Sequence, residues 1–228
     1  MNRSKVAIVG GAGYIGSALA DHLDRAFDVK VVDKSPLPKR LSDRNVEYEC
    51  CDIVKYEQAK DALDGVDVVI HAAIVQIPII NERKNLGYEV NIKGTQNLCT
   101  VVSENPYIKG MILIGSWHVF GERGIDGMID EEFGFRPDCV DERTRLYALS
   151  KIGQEVITRM YGQISQKTFS VIRPGTVLGQ GMPEKTAANI FITKGLAGRS
   201  ITPYKRDMHR PMLYVDVNDV CKMCDVCV

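Results

Sequence analysis

The chain has 228 residues, of which 45% are hydrophobic and 25% charged, with 29 basic and 29 acidic side chains. This composition is typical of a soluble globular protein with enough apolar residues for a core. The formal net charge of zero gives no overall field that would attract a nucleic acid or an anionic membrane surface. No apolar run approaches the ~20 residues of a spanning helix, and we see no secretion signal. We therefore expect a cytoplasmic enzyme or binding protein, without a nucleic-acid or membrane partner.

Short apolar segments alternate with helical patterns, in which apolar residues recur every three or four positions. The segments typical of strands are 5–9, 29–32, 46–50, 67–71, 111–114 and 169–172, with a later one at 212–217. Helical patterns cover the segment around residues 15–23 and residues 56–63, 86–103, 145–160 and 187–196. This alternation is typical of a parallel sheet covered by helices on both faces.

The fold class is therefore predicted to be α/β, a Rossmann-type doubly wound parallel sheet with a small or truncated C-terminal substrate lobe. We expect a cofactor-binding domain with the catalytic residues at 1–175. Residues 176–228 are expected to form a partial substrate-binding lobe that is interleaved with the sheet. Ligands of such sheets bind at the carboxyl ends of the strands.

A glycine-rich loop, Gly10-x-x-Gly13-x-x-Gly16, lies between the first predicted strand and the first predicted helix. Glycines there permit a tight turn and a close approach of backbone N–H groups to a pyrophosphate at the helix N-terminus. Asp33 ends the second predicted strand, near the separation expected for an acid that bonds an adenosine ribose 2′-OH. Because a carboxylate would repel a 2′-phosphate, the pattern favours NAD over NADP.

Tyr147 and Lys151 are four residues apart in a predicted helix, so a phenol and an ammonium share one helix face. A nearby lysine and a nicotinamide cation would both lower the pKa of the phenol and make it a usable base. Ser116 follows the predicted strand 111–114, at the edge of the sheet where Tyr147 must also lie. Its hydroxyl could bond the reacting oxygen of a substrate.

Seven cysteines are expected to be free thiols in a reducing compartment. Cys221, Cys224 and Cys227 repeat every three residues, which predicts a short helix after Asp219 with the thiols on one buried face. The alternative, a metal site, lacks a nearby fourth ligand. We predict no metal.

Further short sequence segments occur in a characteristic order around the glycine loop and the Tyr147–Lys151 pair. They are Cys51-Asp52-Ile53, His71-Ala72-Ala73, Asn91-x-x-Gly94-Thr95, Gly115-Ser116-Trp117-His118-Val119-Phe120-Gly121, Arg173-Pro174-Gly175-Thr176-Val177-Leu178-Gly179 and the segment from Arg210 to Asp219. Together they resemble the extended short-chain dehydrogenases/reductases of the NAD-dependent epimerase/dehydratase family, nearly from end to end. The resemblance implies NAD as the cofactor and nucleotide-sugar 4-epimerases as the nearest activity.

The resemblance also implies roles for individual residues. It places Ser116, Tyr147 and Lys151 in catalysis. The residues that it places at the cofactor are Gly10, Gly13, Tyr14, Ile15, Gly16, Asp33, Asp52, Ile53, Ala72, Ala73, Asn91, Lys151 and Pro174. At the substrate it places His118, Thr176 and Arg210. Residues 86–103 and 145–160 correspond to segments that commonly pair as a four-helix interface in the family, which implies a homodimer.

Departures from the family pattern narrow the reaction. Trp117 and His118 stand where the 4,6-dehydratases carry an Asp-Glu pair, which disfavours a dehydratase. Ser116-x-His118 is similar to a segment of uronate dehydrogenases, which oxidise free sugar acids with NAD, and Thr176 replaces an Asn of many nucleotide-sugar enzymes. The family usually continues into further helices past the Asp219 strand, so the substrate lobe is expected to be minimal or truncated.

Three functions remain open from the sequence. The first is an NAD-dependent epimerase of a sugar or nucleotide sugar, which transiently oxidises a secondary hydroxyl. The second is a net dehydrogenase of a sugar or sugar acid. The third is a non-catalytic NAD-sensing protein, which is disfavoured because Ser116, Tyr147 and Lys151 are all retained.

Overall fold

The computed structural model describes residues 3–203 and 212–228. Six parallel strands form the main sheet: β1 (Lys5–Val9), β2 (Asp28–Asp33), β3 (Val46–Cys50), β4 (Val68–His71), β5 (Gly110–Ile114) and β6 (Thr168–Ile172). Their order is β3-β2-β1-β4-β5-β6. The predicted α/β doubly wound parallel sheet is confirmed.

The helices follow the predicted alternation with the strands. They are α1 (Tyr14–Leu23), α2 (Tyr56–Ala62), α3 (Ile79–Glu82), α4 (Lys84–Tyr88), α5 (Thr95–Glu104), α6 (Glu142–Ile164), α7 (Ala187–Leu196) and α8 (Val217–Cys227). Within the described ranges, none of them combines the length and the apolar character that crossing a membrane requires.

Two apolar clusters cover the two faces of the sheet, because successive residues of a strand point to opposite sides. On one face, Ile8 of β1 packs in a cluster with Leu19 and Leu23 of α1. On the other face, Val9 of β1 belongs to the cluster that contains Leu98 of α5. The central strands β1, β4 and β5 are therefore buried on both sides, which explains why they read as continuous apolar runs.

A π-helical segment, Glu89–Gly94, joins α4 to α5. The sequence predicts one helix over 86–103, and the structure has helical turns from Lys84 to Glu104 that change type in the middle. Such π segments insert extra residues into a turn and are frequent at functional sites. Asn91 lies within this segment and is fully buried.

The end of the chain forms a second, two-stranded parallel sheet from β7 (Thr176–Leu178) and β8 (Tyr214–Asp216). After β8, helix α8 returns to α1, and its residues Val217, Cys221 and Cys224 join the core on that face of the sheet. The expectation that the three thiols of α8 share one buried face is wrong for Cys227, which is exposed. Each step of three residues turns the direction of a side chain by about 60°, and two steps leave the buried face.

The strand order reverses between β1 and β4, because the chain leaves β1 towards β2 and leaves β4 towards β5. Helical crossovers that diverge in this way open a crevice above the carboxyl ends of the two strands. The glycine loop after β1 and the segment after β4 form its walls.

Candidate active site

A cavity of about 700 Å³ lies above the carboxyl ends of β1, β2, β4 and β5. Its volume falls within the usual range for a cofactor or substrate site. Among the residues predicted for the site, those that line it are Gly10, Gly13, Tyr14, Ile15, Gly16, Asp33, Asp52, Ile53, Ala72, Ala73, Ser116, His118, Tyr147, Lys151, Pro174 and Thr176. The fold thus brings the glycine loop and the Tyr147–Lys151 pair into one crevice.

Among the predicted residues that the structure describes, Asn91 is not part of this lining. Asn91 is buried beneath it: its side-chain oxygen accepts a hydrogen bond from the backbone N–H of Val75 at 2.7 Å, and its amide donates to Ser150 Oγ at 3.0 Å. Asn91 therefore holds Val75, which does line the cavity. Arg210, predicted at the substrate, lies outside the described residues.

The glycine loop leaves no room for side chains where it meets β4 and α1. Gly10 has φ of +81°, and a Cβ there would lie 2.5 Å from the backbone nitrogen of Ala73. A Cβ on Gly16 would collide with the carbonyl oxygen of Gly10. Among the described residues, no side chain caps the N-terminus of α1, which begins directly after Gly13. The first N–H groups of α1 therefore suit a pyrophosphate, which would satisfy them and the helix dipole together.

Asp33 connects the end of β2 to the glycine loop. Its Oδ2 accepts from the backbone N–H of Ala12 at 3.0 Å, and its Oδ1 accepts from that of Ser35 at 2.8 Å. A carboxylate has about four acceptor positions, so two remain for a ligand hydroxyl. The carboxylate lines the cavity at the position expected for the adenosine ribose.

Lys34 forms an ion pair that was not predicted from the sequence. Its Nζ lies 2.7 Å from Oδ2 of Asp52, and both residues line the cavity. Partial burial opposes ionisation of Asp52, but hydrogen bonds from Lys34 and from the backbone of Val54 hold the pKa of its carboxyl below the usual range. The positive charge of Lys34, which follows Asp33 in the chain, is therefore partly neutralised by Asp52.

Lys151 connects α6 to β5 across the site. Only 3% of the residue is exposed, and its Nζ donates a hydrogen bond of 2.8 Å to the carbonyl oxygen of Ile114, the last residue of β5. Burial lowers the pKa of its ammonium to about 7. Burial, together with the Lys151 charge, also lowers the pKa of the neighbouring His71 to about 3, so His71 is neutral.

Tyr147 lies one turn before Lys151 on α6 and is half-buried. Burial raises the pKa of its phenol, while a hydrogen bond with Ser116 acts in the opposite direction. The spacing of Tyr147 and Lys151 alone predicts a lowered pKa. In the protein alone, desolvation is the largest influence on the phenol and raises its pKa.

His118 and Glu122 extend the site beyond Ser116. The ring nitrogen Nδ1 of His118 lies 3.1 Å from Ser116 Oγ, and its Nε2 lies 3.2 Å from Oε1 of Glu122. The Glu122 side chain is only 2% exposed. Glu122 was not predicted from the sequence, because an acid in a glycine-rich loop is normally solvated.

Comparisons with known proteins agree with this geometry. A family model described as "Epimerase: NAD dependent epimerase/dehydratase family" matches residues 6–228. A putative UDP-glucose 4-epimerase from Methanocaldococcus jannaschii is 28% identical over 95% of this chain and 71% of its own length. The structure of a UDP-glucose 4-epimerase from Thermus thermophilus in complex with NAD superposes with a TM-score of 0.82 and 25% identity, over 97% of this chain and 73% of that one.

An uncharacterized protein, y4nG, from Sinorhizobium fredii is 31% identical over 78% of this chain. The chain spans 42% of the length of that relative.

The chain belongs to the NAD dependent epimerase/dehydratase family. NAD is the cofactor of this family and is present in the Thermus structure. The site fits it: the uncapped start of α1 suits the pyrophosphate, and Asp33 retains acceptor positions for a ribose hydroxyl.

The buried Lys151 predicts a pH-dependent stability. The pKa of its ammonium is about 7 in the folded protein and about 10.4 in the unfolded chain. Burial of the charged ammonium therefore lowers the stability of the folded protein most below pH 7. This loss of stability disappears as the pH rises towards 10 and the amine becomes neutral in both states. Relative to Lys151→Met, the wild-type protein should gain roughly 3–4 kcal/mol of unfolding free energy between pH 7 and 10. Urea unfolding without NAD, at several pH values, measures this difference. A constant difference across this range would contradict the buried ammonium.

Proposed function

We propose that this protein is an NAD-dependent epimerase of a sugar or nucleotide sugar. The observation that carries the proposal is the single cavity that joins the glycine loop to Ser116, Tyr147 and Lys151. The relatives named UDP-glucose 4-epimerase support a nucleotide sugar as the substrate class.

In this proposal, the glycine loop would hold the pyrophosphate of the dinucleotide, and Asp33 would bond a hydroxyl of its adenosine ribose. NAD, when bound, accepts a hydride from a sugar carbon and can return it. Tyr147 takes the proton of the sugar hydroxyl as that hydride leaves, and it returns the proton when the hydride comes back. Ser116 hydrogen-bonds the reacting oxygen, and Lys151 contributes positive charge beside the phenol.

A net dehydrogenase of a sugar or sugar acid is the second candidate. It is favoured by His118, which bonds Ser116 at the cavity wall, where the resemblance to uronate dehydrogenases places a substrate contact. The two functions are separated by incubating the protein and NAD with UDP-glucose and, in parallel, with free glucuronate. Formation of UDP-galactose without net NADH identifies the epimerase, whereas NADH formed in proportion to product identifies the dehydrogenase.

Tyr147→Phe tests the proton-transfer role. Since general acid–base catalysis contributes about 10²–10⁴-fold, turnover should fall by at least ~100-fold while NAD affinity stays within about twofold. Tyr161→Phe is the matched control, because that tyrosine lies on the same helix but bonds Thr100, 2.7 Å away. Turnover by Tyr147→Phe equal to that of the control would exclude the assigned role.

Asp33→Ala tests the cofactor contact. Loss of the carboxylate should weaken NAD binding by about tenfold and relax the discrimination against NADP, because the repulsion of a 2′-phosphate disappears. Asp33 also holds the glycine loop through Ala12, and a looser loop would weaken the binding of both cofactors. The ratio of NAD affinity to NADP affinity, measured by isothermal calorimetry, therefore reports the contact with the ribose alone. Asp64→Ala, which changes an exposed acid outside the cavity lining, is the control. An unchanged ratio would refute the contact.

A homodimer is the proposed assembly. It is supported by a stripe of exposed apolar side chains along α6, which consists of Leu146, Leu149, Val156, Met160 and Ile164. Val156→Glu should shift the protein to monomers in sedimentation equilibrium, because the charge would have to be buried. Leu196→Glu on α7, where the native side chain is 87% exposed, should leave the assembly unchanged. A mass that is the same for wild type and Val156→Glu would contradict this interface.

A cytoplasmic location stays a prediction. It is supported by the free thiols of all seven cysteines, which are typical of a reducing compartment. The division into domains at residue 175 is likewise part of the proposal.

A further inference from the structure

The ion pair between Lys34 and Asp52 lies at the end of the cavity where Asp33 is found, away from the catalytic residues. The Nζ of Lys34 is 2.7 Å from Oδ2 of Asp52, and all three residues line the cavity. The carboxylate of Asp33 would repel a 2′-phosphate on the adenosine ribose, whereas the ammonium of the next residue would attract one. The choice between NAD and NADP therefore depends on where the charge of Lys34 is held.

The register of two neighbouring strands brings these charges together. β2 and β3 are parallel, and Asp33 at the end of β2 is paired with Cys50 at the end of β3. Beyond this pair, the backbone N–H of Cys51 donates to the carbonyl oxygen of Asp33 at 3.0 Å. Lys34 and Asp52 are the next residues along the two chains, so they leave the same edge of the sheet side by side.

Asp52 is held in place by the turn that it begins. Its Oδ1 accepts from the backbone N–H of Val54 at 3.2 Å, and its own backbone N–H donates to Oε1 of Gln58 at 2.9 Å. The side chain of Asp52 is only 20% exposed. The carboxylate is therefore a negative charge at a fixed position in the cavity wall.

Lys34, in contrast, is fixed mainly through the backbone around it. The N–H of Ser35 donates to Oδ1 of Asp33 at 2.8 Å, and the hydroxyl of Tyr48 donates to the carbonyl oxygen of Ser35 at 3.0 Å. The side chain of Lys34 is 72% exposed, and a lysine carries its ammonium on a flexible four-carbon stem. Among the ion pairs of the described residues, its partner is Asp52. The position of this ammonium is therefore decided by Asp52.

The other charges around the pair favour the same arrangement. The hydrogen bond with Asp52 raises the pKa of the Lys34 ammonium, although the positive charge of Arg83 acts in the opposite direction. Partial burial opposes ionisation of Asp52, but the hydrogen bond from Lys34 and the charge of Lys55 help to lower the pKa of its carboxyl. Both members of the pair are therefore charged at neutral pH.

We propose that Asp52 is a specificity-determining residue for the cofactor, because it binds the ammonium of Lys34 and so withholds it from a 2′-phosphate. While the ion pair is intact, the negative charge of Asp33 acts on the 2′ position without compensation, and NAD is preferred. Once the pair is broken, Lys34 is free to bond a 2′-phosphate and to offset the repulsion by Asp33. This inference rests on the proposed contact of Asp33 with the ribose.

A contact of Asp52 with the adenine, which the family resemblance implies, is a separate property. NAD and NADP carry the same adenine, so loss of such a contact weakens the binding of both cofactors alike. The ratio of the two affinities is therefore insensitive to the adenine contact and reports only what happens at the 2′ position.

Two other roles of Asp52 make different predictions. If Asp52 acted on a 2′-phosphate only through its own negative charge, its removal would favour NADP whether or not Lys34 is present. If the ion pair only stabilised the fold, its removal would lower the free energy of unfolding and leave the ratio of the two affinities unchanged. A cycle of single and double variants at Lys34 and Asp52 separates these roles from the proposed one.

Asp52→Asn, titrated with NAD and with NADP in a calorimeter, tests the proposal without any substrate. The asparagine oxygen can still accept from the N–H of Val54, so the turn is kept while the ion pair is lost. The ratio of NADP affinity to NAD affinity should rise by about fivefold, the upper end of what an ion pair with an exposed partner contributes. In the Lys34→Met background the same substitution should leave the ratio unchanged, because no ammonium is released. A rise of equal size in both backgrounds, or no rise in either, would overturn the proposal.

Asp52→Ser is the second variant, in case Asp52→Asn folds poorly, since its hydroxyl can also accept from Val54. Asp61→Asn, which changes an exposed acid outside the cavity lining, is the matched control and should keep the wild-type ratio. If Asp33→Ala raises the ratio of NADP to NAD affinity while both Asp52 variants leave it unchanged, the role of Asp52 alone is wrong. If Asp33→Ala also leaves the ratio unchanged, the proposed contact with the ribose has failed.

Discussion

Parallel pairing of the central strands is the constraint on which the site depends. β1, β4 and β5 run in the same direction and in fixed register, so Val9, His71 and Leu113 are aligned across the sheet. The glycine loop and Ser116 must then emerge at the same edge, although they are far apart in the sequence. The hydrogen bond from Lys151 to the end of β5 places α6, and with it Tyr147, against that edge.

The sheet could be predicted from local patterns, and most of the residues that the family resemblance implies for the site line the cavity. Apolar runs predict buried strands, and glycines between a strand and a helix predict a phosphate loop. The interactions of single side chains were beyond reach. Nothing local indicates that Lys34 pairs with Asp52 or that Asn91 bonds Val75 rather than lining the crevice. Likewise, burial of Glu122 depends on how the loop folds back on the start of α6.

The direction of the pKa shift of Tyr147 was predicted wrongly from the sequence for a related reason. Spacing places a lysine near a tyrosine, but it does not reveal that both are desolvated. Burial favours the neutral form of each group, so in the protein alone the pKa of Tyr147 is raised and that of Lys151 is lowered. In the proposed function, the cationic nicotinamide of bound NAD would supply the positive charge that favours the phenolate.

The π segment between α4 and α5 has a consequence for how this layer is assembled. Asn91 within this segment and Thr95 directly after it are both fully buried, as is expected of residues four apart on one helix face. Thr95 accepts from Gln154 of α6 at 2.9 Å, while its own hydroxyl donates to the backbone of Asn91 at 2.7 Å. A continuous chain of hydrogen bonds thus runs from Val75 in the wall of the crevice, through Asn91 and Thr95, to Gln154 on α6, so the lining of the crevice and the packing of α5 on α6 share one set of buried polar contacts.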